Sequence, residues 1–317
     1  MTKILFAPMD RNKKQSLPPV AAVGGKGHSL YWLAINDFSA PPTWVLSTAA
    51  FDLTVQEAGL AETIAEMEQV ITGLNNDWAA AQRALEDLEP KRSAVVDALR
   101  QAEMTNRVGA ALTDLPLKPT WWAVRSSATV EDNAHYSFAG QFLSRLFVPR
   151  GKAFWDAVRE VWASNFGREV LLYCALHRAP QPRMAVILQP MSPITARDRS
   201  GVAFSHSPVP TMPGVLIQAT FGTGQIVVQG YGGDLYSVEG AEVKSQPMPP
   251  PHILVTGPGG GTVTESPPAG LAFTEEEARE LADLVLAVAE RWDGPVNVEF
   301  VWREGASPVL VQARPAT

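Results

Sequence analysis

Two strand-like segments near the C-terminal end place an acid, an amide and an arginine where they can meet. They are Pro295-Val-Asn-Val-Glu-Phe-Val-Trp302 and Val309-Leu-Val-Gln-Ala-Arg-Pro315. Alternate side chains of a strand share a face. In the first segment Asn297, Glu299 and Val301 take one face, and Val296, Val298, Phe300 and Trp302 the other. In the second, Leu310, Gln312 and Arg314 share a face. A hairpin about Arg303–Pro308 with Trp302 opposite Val309 puts Glu299 opposite Gln312 and Asn297 opposite Arg314. A carboxylate, an amide oxygen and a guanidinium on one face suit a cation and phosphate oxygens. The same pattern also suits a half-exposed hairpin with a cross-strand polar ladder.

Three further stretches offer ligand-binding groups. Lys26 sits among Gly24, Gly25 and Gly27. Backbone can approach a ligand closely there, and a lysine can act as a point charge on a phosphate. The stretch is not a Walker A loop, and a tight turn with a solvated lysine fits equally. Arg125 ends the strand-like Trp121–Arg125 and enters a loop with Ser126, Ser127, Thr129, Glu131, Asp132 and Gly140. Its hydroxyls and glycine suit a loop closing over a polyphosphate. An arginine–acid pair on a surface loop is the plainer alternative. Gln189-Pro190-Met191 follows the apolar run Met184–Leu188. Backbone groups there can meet a purine while the methionine packs on its ring. Alternatively, Pro190 simply stops a strand.

Other chemistry is poorly supported. The five histidines, at 28, 135, 177, 206 and 252, lack metal-ligand spacing. No Gly-x-Ser-x-Gly elbow occurs. The single cysteine, Cys174, lies in a helix-like segment and reads as buried.

The elements that must position these groups change character along the chain. Residues 51–112 are rich in Ala, Leu, Glu and Gln, and Gly59, Gly73 and Pro90 punctuate them into three or more helices. A helix is expected over Ser29–Ile35, another over 152–177, and strands over Thr43–Leu46 and Met184–Gln189. Short strands with Gly and Pro turns are expected over 201–238. Residues 247–270 are loop-rich, with Gly257–Gly261 as a turn. Thr274-Glu-Glu-Glu277 is a capping box, opening a helix with Leu281, Leu284, Val285, Val288 and Trp292 on one face and ending at Gly294. A helix-rich first half and a strand-rich second half predict an α+β protein of two lobes with a cleft.

Its 317 residues are ample for a large core. Hydrophobic residues make up 46% and the net charge is −7. That balance argues against a general nucleic-acid or anionic-membrane binder, while leaving room for a local basic pocket. The apolar run at Met1–Pro8 is too short for a secretory signal, and no run is long enough to span a bilayer. The expectation is a cytoplasmic protein.

The motifs occur in a telling order. Gly24-Gly-Lys26 is followed by Val124-Arg-Ser-Ser-Ala-Thr129, Glu131-Asp132 and Ser137-Phe-Ala-Gly-Gln141. Ser200-Gly-Val-Ala-Phe204, Phe221-Gly-Thr-Gly224 and Gln312-Ala-Arg-Pro315 come after. This set resembles the nucleotide-binding domain of phosphoenolpyruvate synthase, pyruvate phosphate dikinase and rifampicin phosphotransferase. The resemblance is weakest at residues 51–112. It implies an ATP-grasp fold, with one lobe over residues 1–190, a helical insertion around 51–112 and a second lobe over 191–317. It implies ATP and Mg²⁺ as cofactors. Lys26, Arg125 and Arg314 would act on the phosphates, with Thr129 and Gly140 in the phosphate loop. Gln189, Pro190 and Met191 would hold the adenine, and Glu299 and Gln312 would ligate the metal.

Two positions depart from the family pattern. Gln225 stands where relatives carry an acid, and Asn297 where they carry Asp. The stretch between Glu299 and Gln312 is also one residue longer than usual. The resemblance implies an ATP-dependent phosphotransferase, or the ATP-binding subunit of a split one. Phosphate would pass to a separate histidine domain or a small-molecule acceptor. The alternative is a nucleotide-binding regulatory or scaffold protein impaired in catalysis.

Overall fold

The computed structural model describes residues 3–10, 15–74, 77–116, 118, 120–131 and 141–316. Gly140, the rest of 132–139 and the basic run 11–14 lie outside them. The chain divides into two compact units, the first dominated by Pro42–Met191 and the second by Ser192 onward. The segment Ser16–His28 belongs to the first unit, and Ser29–Pro41 to the second.

The first unit contains β1 (Leu5–Phe6), α1 (Val20–Ile35, which runs on into the second unit), β2 (Trp44–Leu46), α2 (Thr48–Glu57), α3 (Ala61–Thr72), α4 (Trp78–Gln101), α5 (Asn106–Leu112), β3 (Trp121–Ala128), β4 (Ser144–Pro149), α6 (Lys152–Ser164), α7 (Arg168–His177) and β5 (Met184–Met191). Its strands form one antiparallel sheet in the order β1-β2-β5-β3-β4. Strand alternation sorts its side chains. Trp122, Val124, Ala128, Val186 and Leu188 join a core with Leu85, Val95, Val158, Trp162 and Phe166 of the helices. Arg125, Ser127, Ile187 and Gln189 take the other face.

Several expectations need correction. Helix α4 runs through Pro90 without stopping. Leu85 and Leu88 before it, and Val95 and Leu99 after it, are all buried. Burial on both sides outweighs the hydrogen bond that proline cannot donate. The 152–177 region is two helices, parted at residues 165–167. Strand β5 continues to Met191 rather than ending before Pro190. Its partner β2 reaches only to Leu188, so Pro190 lies where that neighbour has already ended.

The second unit contains β6 (Arg199–Phe204), β7 (Val215–Phe221), α8 (Gln225–Val228), β8 (Asp234–Glu239), β9 (Glu242–Gln246), β10 (Ile253–Thr256), β11 (Thr262–Glu265), α9 (Glu275–Trp292), β12 (Val296–Trp302) and β13 (Val309–Pro315). Six strands form an antiparallel sheet in the order β13-β12-β6-β7-β8-β9. β10 and β11 form a separate hairpin, with Gly257–Gly261 as its turn.

Helix α9 opens with the full capping box: Glu277 N–H donates to Thr274 Oγ1, and Thr274 N–H donates to Glu277 Oε2. Its left-handed C-terminal residue is Asp293, one position before the expected Gly294. Ala278, Leu281, Ala282, Val285 and Val288 are buried. Arg199 fixes the helix start. It pairs with Glu277 at 2.9 Å and lies over the rings of Phe273 and Trp302. The α9 side of the sheet therefore carries Val298, Ala203, Ile217 and Tyr236, which lie in one cross-strand row.

Candidate functional site

Lys26 is held by a break inside a helix. At Gly24 the backbone leaves helical geometry, with φ 70° and ψ 172°. A Cβ there would lie 2.0 Å from the Ser127 carbonyl oxygen, so only glycine fits. Ser127 clamps the break from below. Its hydroxyl donates to the Val23 carbonyl at 2.7 Å and accepts from Gly27 N–H at 2.9 Å. The expected isolated turn before a Ser29–Ile35 helix is thus a break inside the longer α1. Lys26 Nζ lies 2.8 Å from Glu131 Oε1, with a longer contact of 3.5 Å to Ser126 Oγ. Glu131 is itself buried and accepts from Ala128 N–H through its second oxygen at 2.7 Å. The lysine is not a solvated surface charge.

Arg125 shares the sheet face of Ser127, the face on which α1 sits. Its cross-strand partner is Ile187. Two residues further along β5, Gln189 pairs with Ala123, and then Met191 with Trp121. Gln189 and Met191 therefore share the Arg125 face, and Pro190 points to the helical side. The Gln189 side chain is buried and donates to Thr43 Oγ1 at 2.9 Å. Met191 Sδ accepts from Phe147 N–H at 3.4 Å. The Thr129 hydroxyl accepts from Arg183 N–H at 3.1 Å and closes the β3–β5 ladder.

In the second unit the hairpin pairs Glu299 with Gln312 and Asn297 with Arg314, as the sequence predicts. The route there differs. Val301, not Trp302, lies opposite Val309, and the ladder slips by one residue between Glu299 and Phe300. Val311 is the extra residue of a β-bulge. The bulge turns Leu310 onto the core face, opposite Phe300, so Leu310 does not share the face of Gln312 and Arg314. Asn297 and Gln312 are each only 4% exposed. Glu299 continues across the sheet to Val202 and then Gln218.

The loop after β7 reaches Ser200 on that same sheet face. Ser200 Oγ donates to the Gly222 carbonyl at 2.8 Å. Thr223 Oγ1 and Gln225 Oε1 are buried there, with no hydrogen-bond partner among the described residues. Unpartnered oxygens of this kind mark a place where a cation or donor group fits. Glu299, Gln312 and these two oxygens are hard donors of the type Mg²⁺ prefers. No group of three His, Cys, Asp or Glu gathers among the described residues. A cation here would depend on amide, hydroxyl and phosphate oxygens as well as Glu299. Burial pushes the Cys174 thiol up to about 12, which removes it as a nucleophile.

Sequence reasoning missed two contributors. Glu131 was an acid in a loop, with no local sign that it binds a lysine 105 positions earlier. Thr223 was one letter of a glycine motif.

Each unit thus presents charged and oxygen-bearing side chains on one face of an antiparallel sheet, the provision of a phosphate-ligand binder. The family model "Pyruvate phosphate dikinase, AMP/ATP-binding domain" matches residues 20–317. The chain belongs to that family, and is an ATP-binding domain of the phosphoenolpyruvate synthase and pyruvate phosphate dikinase type. It is 27% identical over 308 residues to the "Probable phosphoenolpyruvate synthase" of Methanothermobacter thermautotrophicus, covering 94% of this chain and 44% of the relative. It is 28% identical to the "Rifampicin phosphotransferase" of a Streptomyces species, covering 94% of this chain and 34% of the relative. An "Uncharacterized phosphotransferase" of Bacillus subtilis is 26% identical, over 93% and 33% respectively. The chain spans less than half the length of each of these relatives. Among the described residues no helix is long and apolar enough to cross a membrane.

Proposed function

We infer that the chain is an ATP-dependent phosphotransferase, or the ATP-binding part of a split one. Phosphate from Mg-ATP would pass to a histidine on a separate protein or to a small-molecule acceptor. The observation that carries this reading is the paired hairpin face, Glu299 opposite Gln312 and Asn297 opposite Arg314, in a chain of this family.

In the proposal each ATP-grasp lobe, 1–190 and 191–317, supplies groups for Mg-ATP. Lys26 and Arg125 take phosphate oxygens, and Thr129 and Gly140 serve the same phosphates. The backbone of Gln189–Met191 meets the adenine, and Met191 packs on its ring. Glu299 and Gln312 hold Mg²⁺, which neutralises phosphate charge when bound. Arg314 stabilises the negative charge on the transferring phosphoryl oxygens. Phosphoryl transfer demands positioning and charge neutralisation rather than covalent help from the protein. Lys26 must divide its charge between Glu131 and the nucleotide. The short Lys26–Glu131 contact fixes where the ammonium starts.

The test is phosphorus NMR of ATP with Mg²⁺ and a candidate histidine domain or acceptor. AMP with phosphate identifies dikinase chemistry, and ADP identifies kinase chemistry. Lys26→Met, Arg125→Gln and Arg314→Gln should each lower turnover by about 100-fold or more. Full turnover in all three overturns the assignment.

A second reading, nucleotide binding without catalysis, is favoured by Gln225 and Asn297. Gln225→Glu together with Asn297→Asp discriminates. A large rate gain over an inert parent supports the second reading. An active parent with little gain supports the first.

A further inference from the structure

A cleft of about 350 Å³ opens on the helical side of the first unit's sheet, the side opposite Arg125 and the α1 break. Helices α4 and α6, residues 141–143 with Arg145, and the Gly167 start of α7 enclose it. Three guanidinium groups line it, Arg92, Arg100 and Arg145, against one lining carboxylate, Glu160. Acids outside the wall hold two of the arginines. Glu89 accepts from Arg92 Nε at 2.8 Å, and Asp97 lies 3.9 Å from Arg100. Arg145 donates from Nε to Glu160 at 2.7 Å. Its two terminal nitrogens make no hydrogen bond to the described residues. The facing wall is apolar, from Val96, Phe142, Leu143 and Ala163.

One polar atom in this wall is unmatched. Gln141 Oε1 is buried and receives no donor among the described residues. A buried acceptor left alone is unfavourable, so it calls for a donor. A bare anion satisfies the arginines but not this oxygen. We propose that the cleft binds a small organic anion that also carries a hydroxyl. Arg100 and Arg145 take its phosphate or carboxylate, and Gln141 accepts from its hydroxyl. Gln141 closes the Ser137–Gln141 motif, but no residue of the cleft is given a role on ATP or metal above.

The experiment is calorimetric titration of the full chain with glycerol 3-phosphate, lactate and inorganic phosphate. At least one hydroxylated probe should bind at millimolar concentration or below, and more tightly than inorganic phosphate. Preference for glycerol 3-phosphate identifies a hydroxylated phosphate, and preference for lactate a hydroxy acid. Arg100→Gln and Arg145→Gln should each weaken binding by about tenfold, because each removes a charge-assisted contact. Both side chains are half exposed or more, so unchanged melting is expected and separates lost binding from lost fold. Gln141→Leu should abolish the preference over inorganic phosphate. Lys244→Gln, on β9 in the second unit, should change nothing. Failure of both hydroxylated probes to bind, or binding by both arginine variants as tight as by the unsubstituted chain, overturns the proposal.

Discussion

The Lys26 cluster and the Glu299 hairpin bring charged and polar side chains together by opposite routes. The first is assembled across the chain. Lys26 meets Glu131, and Gly27 meets Ser127, over separations of 105 and 100 residues. The second is assembled from neighbours, with Glu299 and Gln312 facing each other across one hairpin. The long-range site is internally neutralised and packed around one broken helix turn. The local site is a ladder whose pattern decides which side chains face which way. Backbone strain should therefore be most damaging in the first, and register errors in the second.

The largest effect tests that contrast directly. Gly24→Ala requires a left-handed alanine whose methyl overlaps the Ser127 backbone. Neither backbone can retreat without breaking the Ser127 clamp. The substitution should lower stability by about 3 kcal/mol or more, read as a fall in the thermal midpoint, and should weaken ATP binding. Gly59→Ala also has positive φ, but its Cβ would meet nothing within 4 Å. It should show only the conformational penalty, about 1–2 kcal/mol. Equal losses would mean that the Gly24–Ser127 contact is not what fixes the break.

A smaller effect is expected where charge, rather than backbone, is removed. Glu131→Leu leaves the Lys26 ammonium part-buried beside a leucine. It also leaves Ala128 N–H without its acceptor. A loss of about 2–4 kcal/mol should follow, with much of it recovered in the double variant with Lys26→Met. A double-mutant cycle in denaturant measures the coupling. Coupling near zero would show that Lys26 and Glu131 do not depend on each other. The site would then be as modular as the hairpin.

This contrast also explains what could be read from the sequence. The hairpin face follows from alternation, which acts over a few residues, so Asn297, Glu299, Gln312 and Arg314 were legible. The α9 capping box was legible for the same reason. Leu310 was misplaced because a bulge leaves no mark on alternation: Val311 looks like any strand valine. Pro90 misled because local propensity favours a stop, whereas burial on both sides decides otherwise. The role of Glu131 was unreadable, since only the fold brings it to Lys26. The ordered motifs supplied what local physics did not. They assign Lys26 and Arg125 to one ligand, although 98 residues lie between the two.

The finest test is a pair of single-residue deletions in β13. Removing Val311 deletes the bulge and leaves Leu310 opposite Phe300 and Gln312 opposite Glu299, a regular ladder with every face preserved. The stability change should be small, about 1 kcal/mol or less, because no side chain changes environment. ATP affinity would then report only the local twist that the bulge adds. Removing Ala313 instead has no good solution. If the bulge is kept, Arg314 comes opposite Val298, on the α9 side. If the bulge is absorbed, Gln312 comes there. Either outcome buries a polar group among Val298, Ala203 and Ile217, all fully buried, and should unfold much of the second unit. Thermal melting of the two deletions distinguishes a ladder that specifies the site from one that merely accommodates it. Equal tolerance of both deletions would show that the facing of Gln312 and Arg314 is set by something other than strand register.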